Sequence, residues 1–206
     1  MERPRVEPPA MALALSASFG SVSRWREDWA AAVQAGSAGQ VVLCFLPMAG
    51  RLVHLQLPAG QAPPPGHIAL WSQDLPSTAT AAAAIDWASV YERYQHAVHG
   101  SSESLAADPQ HLGDALVLDV RRDVPFQQAR TMLPGAQWRD PAQVGTWAAE
   151  LPRDRAVLVY CIYGHEVGRS TALRLRAEGV QARFLPGGID AWAQAGQPLQ
   201  TKEPDA

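Results

Sequence analysis

The second half of the chain alternates short apolar runs with helical patterns, and this alternation constrains the fold more than any other feature. Apolar runs at residues 115–120, 155–160 and 180–185 are each followed by a helical pattern, at 141–151, 167–178 and 189–195. Strands that alternate with short helices predict a mostly parallel sheet covered by helices on both faces. We therefore expect residues 101–200 to form an α/β domain, with a short tail at 201–206.

Cys161 directly follows the predicted strand 155–160. It precedes a loop that contains Gly164 and a helix that is predicted to start near Val167. In this position, the unpaired N–H groups of the first helical turn and the helix dipole would face the sulfur. Both effects favour the thiolate, so we expect a lowered thiol pKa and a nucleophilic cysteine. The same amides would hold an anion bound to the sulfur. The alternative is an inert core cysteine, which is also our interpretation of Cys44.

Four motifs in this half occur in the order and at the spacing of one known family. The motifs are the strand Leu116–Arg121 with its Asp-Val-Arg, the turn Leu133–Ala136 with its Leu-Pro-Gly-Ala, the Tyr160–Gly164 loop, and the Gly-Gly and Trp of Leu185–Trp192. With these motifs, residues 105–200 resemble a rhodanese domain of the sulfurtransferase family. The resemblance implies a three-layer rhodanese-like fold with a central, mostly parallel sheet.

The resemblance also implies a chemistry for Cys161. A donor such as thiosulfate would give its outer sulfur to the thiolate, and the resulting persulfide would pass that sulfur to a thiol or another nucleophile. Small-molecule donors and thiol acceptors are then the partners, and neither a cofactor nor a metal is implied. The implied substrate-binding residues are Ile162, Tyr163, Gly164, His165, Glu166 and Val167 in the loop, with Asp119, Arg121 and Arg122 beside it.

The loop differs from the common family pattern at His165 and Glu166, where basic or small residues are usual. A glutamate in the pocket would oppose a dianionic donor, although a protonated His165 would cancel its charge. Glu166 is alternatively the N-cap or a first-turn acid of the following helix, and it then points away from the pocket.

The residues after the first strand also allow two interpretations. Asp119 either caps the next turn or pairs with a neighbouring arginine, or it holds an arginine at the pocket rim. Arg121 and Arg122 either orient an anionic donor or are simply solvated.

Two other functions remain open at this point. Phosphatases and arsenate reductases of related fold have a longer loop that ends in a phosphate-binding arginine, which would stand at position 167. This chain has Val167 there, and Arg169 follows two residues later, within reach of the rim from the first helical turn. The second alternative to a sulfurtransferase is a non-catalytic rhodanese-like module that binds a regulatory partner.

The first half is harder to interpret. We expect a flexible leader at residues 1–23 and a small α+β region at 24–100. Within this region the pattern predicts a helix at 24–35, a β-hairpin at 41–46 and 52–57, a proline-rich loop at 58–66, a short strand at 67–71 and a helix at 80–99 that ends at Gly100. The region is a separate domain, a layer on the second half or a degenerate rhodanese repeat, and it is a candidate for binding a protein partner.

Composition excludes several classes of function. The net charge of −3 gives no footprint for nucleic acid and no basic cluster for anionic membranes. Two cysteines do not make a disulfide framework, which favours a reducing compartment, and we expect the cytoplasm. Residues 10–17 resemble a weak signal peptide, but Glu2 and Glu7 favour a disordered leader or initiation at Met11. The histidines show no metal-ligand spacing beyond His96 and His99, which could form half a site but are better explained as residues of a helix surface.

Overall fold

The computed structural model describes residues 9–76 and 85–202 and divides into two compact units, Met1–Ala97 and Val98–Ala206. The boundary predicted between residues 100 and 101 lies close to this division. Three parts of the predictions fall outside the described residues: the leader at 1–8, the helix start at 80–84 and the tail at 203–206.

A three-stranded antiparallel sheet forms the centre of the first unit. Its strands are β1 (Gly39–Leu46), β2 (Arg51–Leu57) and β3 (Ile68–Leu75), in the order β2-β1-β3. β1 and β2 form the predicted hairpin, which is confirmed. The strand predicted at 67–71 is longer than expected because residues 72–75 continue the ladder with β1.

Three helices accompany this sheet, and two of them differ from expectation. They are α1 (Pro9–Phe19), α2 (Val22–Ala35) and α3 (Trp87–Ser102). Residues 9–19 form a helix where a flexible leader was predicted, because Met11 and Leu15 are fully buried. α3 does not end at Gly100, since a glycine within a helix costs only about 1 kcal/mol. α2 buries Trp25 and Trp29 on one face, as the spacing predicts.

A four-stranded parallel sheet forms the centre of the second unit and confirms the predicted α/β class. Its strands are β4 (Leu116–Asp119), β6 (Gln137–Trp138), β7 (Ala156–Tyr160) and β8 (Gln181–Phe184), in the order β6-β4-β7-β8. A small antiparallel pair, β5 (Thr131–Met132) with β9 (Gln200–Thr201), lies outside this sheet.

The helices of the second unit are α4 (Asp123–Gln128), α5 (Val144–Trp147), α6 (Glu166–Ala177) and α7 (Gly188–Gln194). The continuous helix predicted at 141–151 is wrong, because 3-10 turns at Pro141–Gln143 and Ala148–Glu150 flank α5. Pro141 lacks an N–H, and the Trp147 indole donates a 2.8 Å hydrogen bond to the Asp140 carbonyl, which favours the tighter turn.

The core of the second unit surrounds β7, which lies between β4 and β8 and is buried from Val157 to Tyr160. Because successive side chains of a strand alternate, Leu158 and Tyr160 face one side of the sheet. They pack there with Leu133, Leu185 and Ile189. Among the described residues, no helix has the length and apolarity to cross a membrane.

Candidate active site

Cys161 immediately follows β7, one of the two inner strands of the parallel sheet, at the edge where the carboxyl ends of the strands meet. In open α/β sheets, ligands bind at this edge. The loop 161–165 then leads directly into α6, which starts at Glu166. Only 5% of the Cys161 surface is exposed. The structure thus places the cysteine between a strand end and a helix start, as the sequence predicts.

Four backbone N–H groups donate to the Cys161 sulfur, and they belong to Tyr163, Gly164, His165 and Gly168. Burial raises the pKa of the Cys161 thiol, and these amides oppose that rise without overcoming it. The lowered pKa expected from sequence is therefore wrong in direction. The sequence indicates the helix terminus but not how deeply the sulfur is buried, and burial disfavours the charged thiolate.

Two glycines bring the backbone close to its neighbours around the loop, and one of them leaves no room for a side chain. Gly164 has a φ of +66°, and a Cβ there would lie 2.5 Å from the Gly187 nitrogen. Gly168, which the sequence analysis missed, would place a Cβ 3.4 Å from the Cys161 sulfur. Its position in the first turn of α6 is the signal that was available. Both glycines let amides approach the sulfur closely.

The first turn of α7 holds the loop from behind. The Ile189 and Asp190 N–H groups donate to the carbonyls of Cys161 and Ile162, each at 3.0 Å. These are N–H groups without partners inside their own helix, so the loop supplies their acceptors. The helix start that follows the Gly-Gly motif thus holds the cysteine loop, whereas the sequence indicates only a turn.

The remaining loop side chains lie around the cysteine with different exposure. Tyr163 is 55% exposed, and its ring centroid lies 5.8 Å from that of His165. His165 is exposed and occupies the N-cap position of α6, without a capping hydrogen bond from its side chain. Ile162 and Val167 are half-buried. The structure therefore brings residues 161–167 together in one short segment, while their substrate-binding role stays a prediction.

Glu166 is the first residue of α6 and is only 5% exposed. Burial lowers the pKa of His99, and the charges of Arg169 and His165 lower it further. The charge of Glu166 acts in the opposite direction but does not reverse the shift. The rings of His99 and His165 lie 6.1 Å apart. Because Glu166 lies in the first turn of α6, it occupies a position where the helix dipole favours an acid.

Asp119 and Arg121 form a buried ion pair at the end of β4. The Arg121 Nε lies 3.0 and 2.9 Å from the two carboxylate oxygens, and the residues are 0% and 4% exposed. Arg121 also donates to the Thr131 carbonyl, and Tyr160 donates to Asp119 at 2.7 Å. This is the pairing alternative considered for Asp119. Arg122 is half-buried at the start of α4.

Arg169 points back to the loop from α6. Its Nε donates to the Gly164 carbonyl at 3.0 Å, and its Nη1 lies 3.0 Å from the Glu103 carboxylate. The arginine considered for the pocket rim is therefore already bonded to the backbone of the loop and to an acid.

The second cysteine differs from Cys161 in its surroundings. Cys44 is fully buried within β1, and burial raises its pKa to about 11. Both cysteines are free thiols. Among residues 9–76 and 85–202, no three histidine, cysteine or acidic side chains form a group suited to a metal ion.

Comparison with known proteins identifies the family. The family model described as "Rhodanese-like domain" matches residues 102–195. A protein named "Sulfurtransferase" from Allochromatium vinosum is 31% identical over 102 residues, which are 50% of this chain and 94% of that protein. The chain belongs to the rhodanese-like family.

Two solved structures also resemble the chain. A crystal structure of a full-length protein from Lactobacillus plantarum has a TM-score of 0.46 and 24% identity, covering 54% of this chain and 99% of that one. A rhodanese-related protein from Thermoplasma volcanium has a TM-score of 0.36 and 21% identity, covering 50% of this chain and 90% of that one.

Proposed function

We propose that the protein is a sulfurtransferase that carries sulfane sulfur on Cys161. The Cys161 thiolate attacks the outer sulfur of a donor, so that a new S–S bond forms and the donor's own bond to that sulfur breaks. With thiosulfate, sulfite leaves with the bonding electron pair. An acceptor thiolate then attacks the outer sulfur of the persulfide, and Cys161 leaves as a thiolate.

The observation that supports this proposal most strongly is the group of four N–H donors around one sulfur. Fixed backbone dipoles stabilise the charge that develops on the reacting atoms, and they need no reorganisation during the reaction. They also stabilise the persulfide anion after the first transfer. A structural cysteine in the core has no need of such an arrangement.

The raised thiol pKa has a consequence for the reaction. Only the thiolate is nucleophilic, so sulfur uptake is slow at neutral pH and faster under alkaline conditions. The free thiols of Cys44 and Cys161 suit a reducing compartment such as the cytoplasm. The partners in this proposal are a small-molecule sulfur donor and a thiol acceptor.

Intact-protein mass spectrometry tests the proposal. The protein is incubated with thiosulfate and, separately, with 3-mercaptopyruvate, alongside the variants Cys161→Ser and Cys44→Ser. We expect a gain of one sulfur atom in the wild type and in Cys44→Ser, and no gain in Cys161→Ser. No adduct in the wild type with either donor would reject both compounds as donors.

The burial of the thiol favours a second candidate, a non-catalytic module that binds a regulatory partner. A thiol that is 5% exposed with a raised pKa is poorly suited to unassisted attack. In this case, the first half of the chain supplies the surface for a protein partner. The same experiment separates the candidates, because a non-catalytic module takes up no sulfur even at alkaline pH.

A further inference from the structure

Three of the four amides around Cys161 belong to peptide units whose carbonyls are held on the opposite side. In a trans peptide, C=O and N–H point in opposite directions, so fixing the carbonyl also aims the N–H. Asp190 N–H holds the Ile162 carbonyl at 3.0 Å and thereby aims Tyr163 N–H. Thr171 Oγ1 holds the Val167 carbonyl at 2.8 Å and thereby aims Gly168 N–H.

Arg169 does the same for the peptide between Gly164 and His165. Its Nε donates to the Gly164 carbonyl at 3.0 Å, and the His165 N–H of the same peptide donates to the sulfur. Gly164 lacks the Cβ that restricts other residues and has a φ of +66°, so the contact from Arg169 helps to fix the orientation of this peptide.

Other contacts hold the Arg169 guanidinium in place. Nη1 lies 3.0 Å from the Glu103 carboxylate and 3.3 Å from the Ser102 hydroxyl. The guanidinium carbon lies 4.2 Å from the centre of the Phe184 ring, a cation–π distance. The arginine side chain is 13% exposed. A planar guanidinium held at several points is well suited to fixing one carbonyl.

We propose that Arg169 is a positioning residue that aims the His165 N–H at the Cys161 sulfur. Glu103 neutralises the charge of Arg169, so the guanidinium does not bind the sulfur donor. This inference rests on the proposed function, because it assigns Arg169 a role in sulfur transfer. Arg169 acts through the backbone and does not touch the substrate.

The test measures alkylation of Cys161 by iodoacetamide, an uncharged reagent, as a function of pH. The variants are Arg169→Gln, Arg169→Lys and Glu103→Gln, all in the Cys44→Ser background. Arg176→Gln is the matched control, since Arg176 is an exposed arginine of the same helix. The titratable neighbours are His99, His165, Glu103 and Glu166. The profile is recorded above about pH 7.5, beyond the range in which ordinary imidazole and carboxyl groups titrate.

We expect Arg169→Gln to move the profile to higher pH and to slow persulfide formation about tenfold, less than the loss of an entire anion-stabilising donor. Arg169→Lys is expected to restore part of the rate, because an ammonium reaches either Gly164 or Glu103 but not both. Glu103→Gln removes one of the contacts that hold the guanidinium and should shift the profile in the same direction by a smaller amount. Arg176→Gln should leave the profile unchanged.

An anion-binding role for Arg169 predicts the opposite pattern and would overturn the inference. Arg169→Gln would then raise the KM for thiosulfate and leave alkylation by an uncharged reagent unchanged. Circular dichroism checks that each variant folds. If Arg169→Gln does not fold, Arg169→Lys still tests the inference. Should the wild type take up no sulfur, the proposed function fails, while the alkylation profile still decides whether Arg169 positions the amide.

Discussion

The Tyr160 hydroxyl donates a 2.7 Å hydrogen bond to the Asp119 carboxylate and accepts one of 3.2 Å from the Leu133 N–H. Asp119 is also paired with Arg121, so one buried carboxylate connects two neighbouring strands immediately before the catalytic candidate Cys161. Burial raises the pKa of Tyr160, which keeps the hydroxyl protonated and available as a donor.

Removing this hydroxyl tests the network. We expect Tyr160→Phe to lower the free energy of unfolding by about 2 kcal/mol, because a hydrogen bond to a charged group is lost in the interior. Asp119→Asn should cost more, about 3 kcal/mol, since it leaves the Arg121 charge buried without compensation. Urea unfolding measures both values. Equal stability of Tyr160→Phe and the wild type would contradict the role given to this bond.

Local sequence patterns predict much of the second unit. The β-type run before Cys161 and the helical pattern after it place the cysteine correctly, because both signals lie within a few residues of it. The Arg169 contact to Gly164 and the α7 contact to the loop carbonyls depend on tertiary packing. The depth of the sulfur depends on it too, and helix position alone therefore predicts the wrong direction for the Cys161 pKa.

The first unit was less predictable for a related reason. Residues 9–19 follow a proline, and their apolar residues show little helical periodicity. Met11 and Leu15 nevertheless become fully buried. α1 is short, and such helices draw most of their stability from packing instead of intrinsic propensity. The hairpin was predictable because two apolar runs and a turn lie side by side in the chain.

Gly188 is predicted to be essential for the geometry of the cysteine loop. It has a φ of +58°, and an added Cβ would lie 2.4 Å from both the Cys161 and Ile162 carbonyl oxygens. We expect Gly188→Ala to displace the loop and to lower both stability and sulfur uptake, which unfolding curves and mass spectrometry measure.

Gly135→Ala is the matched control for this substitution. Gly135 also has a positive φ, of +68°, but nothing lies within 4 Å of an added Cβ. It should cost only the backbone strain, about 1–2 kcal/mol, and leave Cys161 reactivity intact. If the two variants lost equal stability and equal activity, the contact with the loop carbonyls would not matter.

The reactivity of Cys161 should depend on pH in a direction set by its burial. The raised pKa keeps the thiol protonated through neutrality, so the thiolate fraction grows about tenfold per pH unit until the pKa is reached. In a Cys44→Ser variant, the iodoacetamide rate should keep rising beyond the pH at which free glutathione reaches its plateau. A plateau below that of glutathione would show that the amides outweigh burial.

His54 makes the stability of the first unit depend on pH. Burial lowers the pKa of His54 to about 4, while the charge of Asp28 acts in the opposite direction. The unfolded chain takes up this proton near pH 6.5, before the folded chain does, so stability is present above about pH 6.5 and is lost as the pH falls towards about 4. Because the ring is partly exposed, we expect a loss of about 2 kcal/mol.

Urea unfolding followed by tryptophan fluorescence at several pH values measures this loss. Trp25 and Trp29 are suitable probes because both lie near the His54 ring, with centroids 6.4 and 4.9 Å away. The variant His54→Gln does not titrate and should show a smaller decrease in stability on acidification. An identical decrease in the variant and the wild type would assign the effect to other groups.

Glu166→Gln tests how the loop discriminates between donors. The carboxyl group of Glu166 is nearly buried at the start of α6, next to the cysteine loop. If it faces the pocket, its negative charge opposes thiosulfate more than 3-mercaptopyruvate, which carries less negative charge. Removing one charge at an effective dielectric constant near 20 changes the energy by roughly 1–2 kcal/mol, and we expect the thiosulfate-to-mercaptopyruvate rate ratio to rise about tenfold.

The control is Glu178→Gln, at the other end of the same helix, which should leave the ratio unchanged. Both rates are measured as persulfide formation on Cys161 at low ionic strength, because salt screens the interaction. A ratio that stays constant in Glu166→Gln would mean that the carboxylate points away from the pocket and serves only the first turn of α6. In that case, we would attribute the preference for a donor to His165 and Tyr163, whose side chains are exposed on the loop.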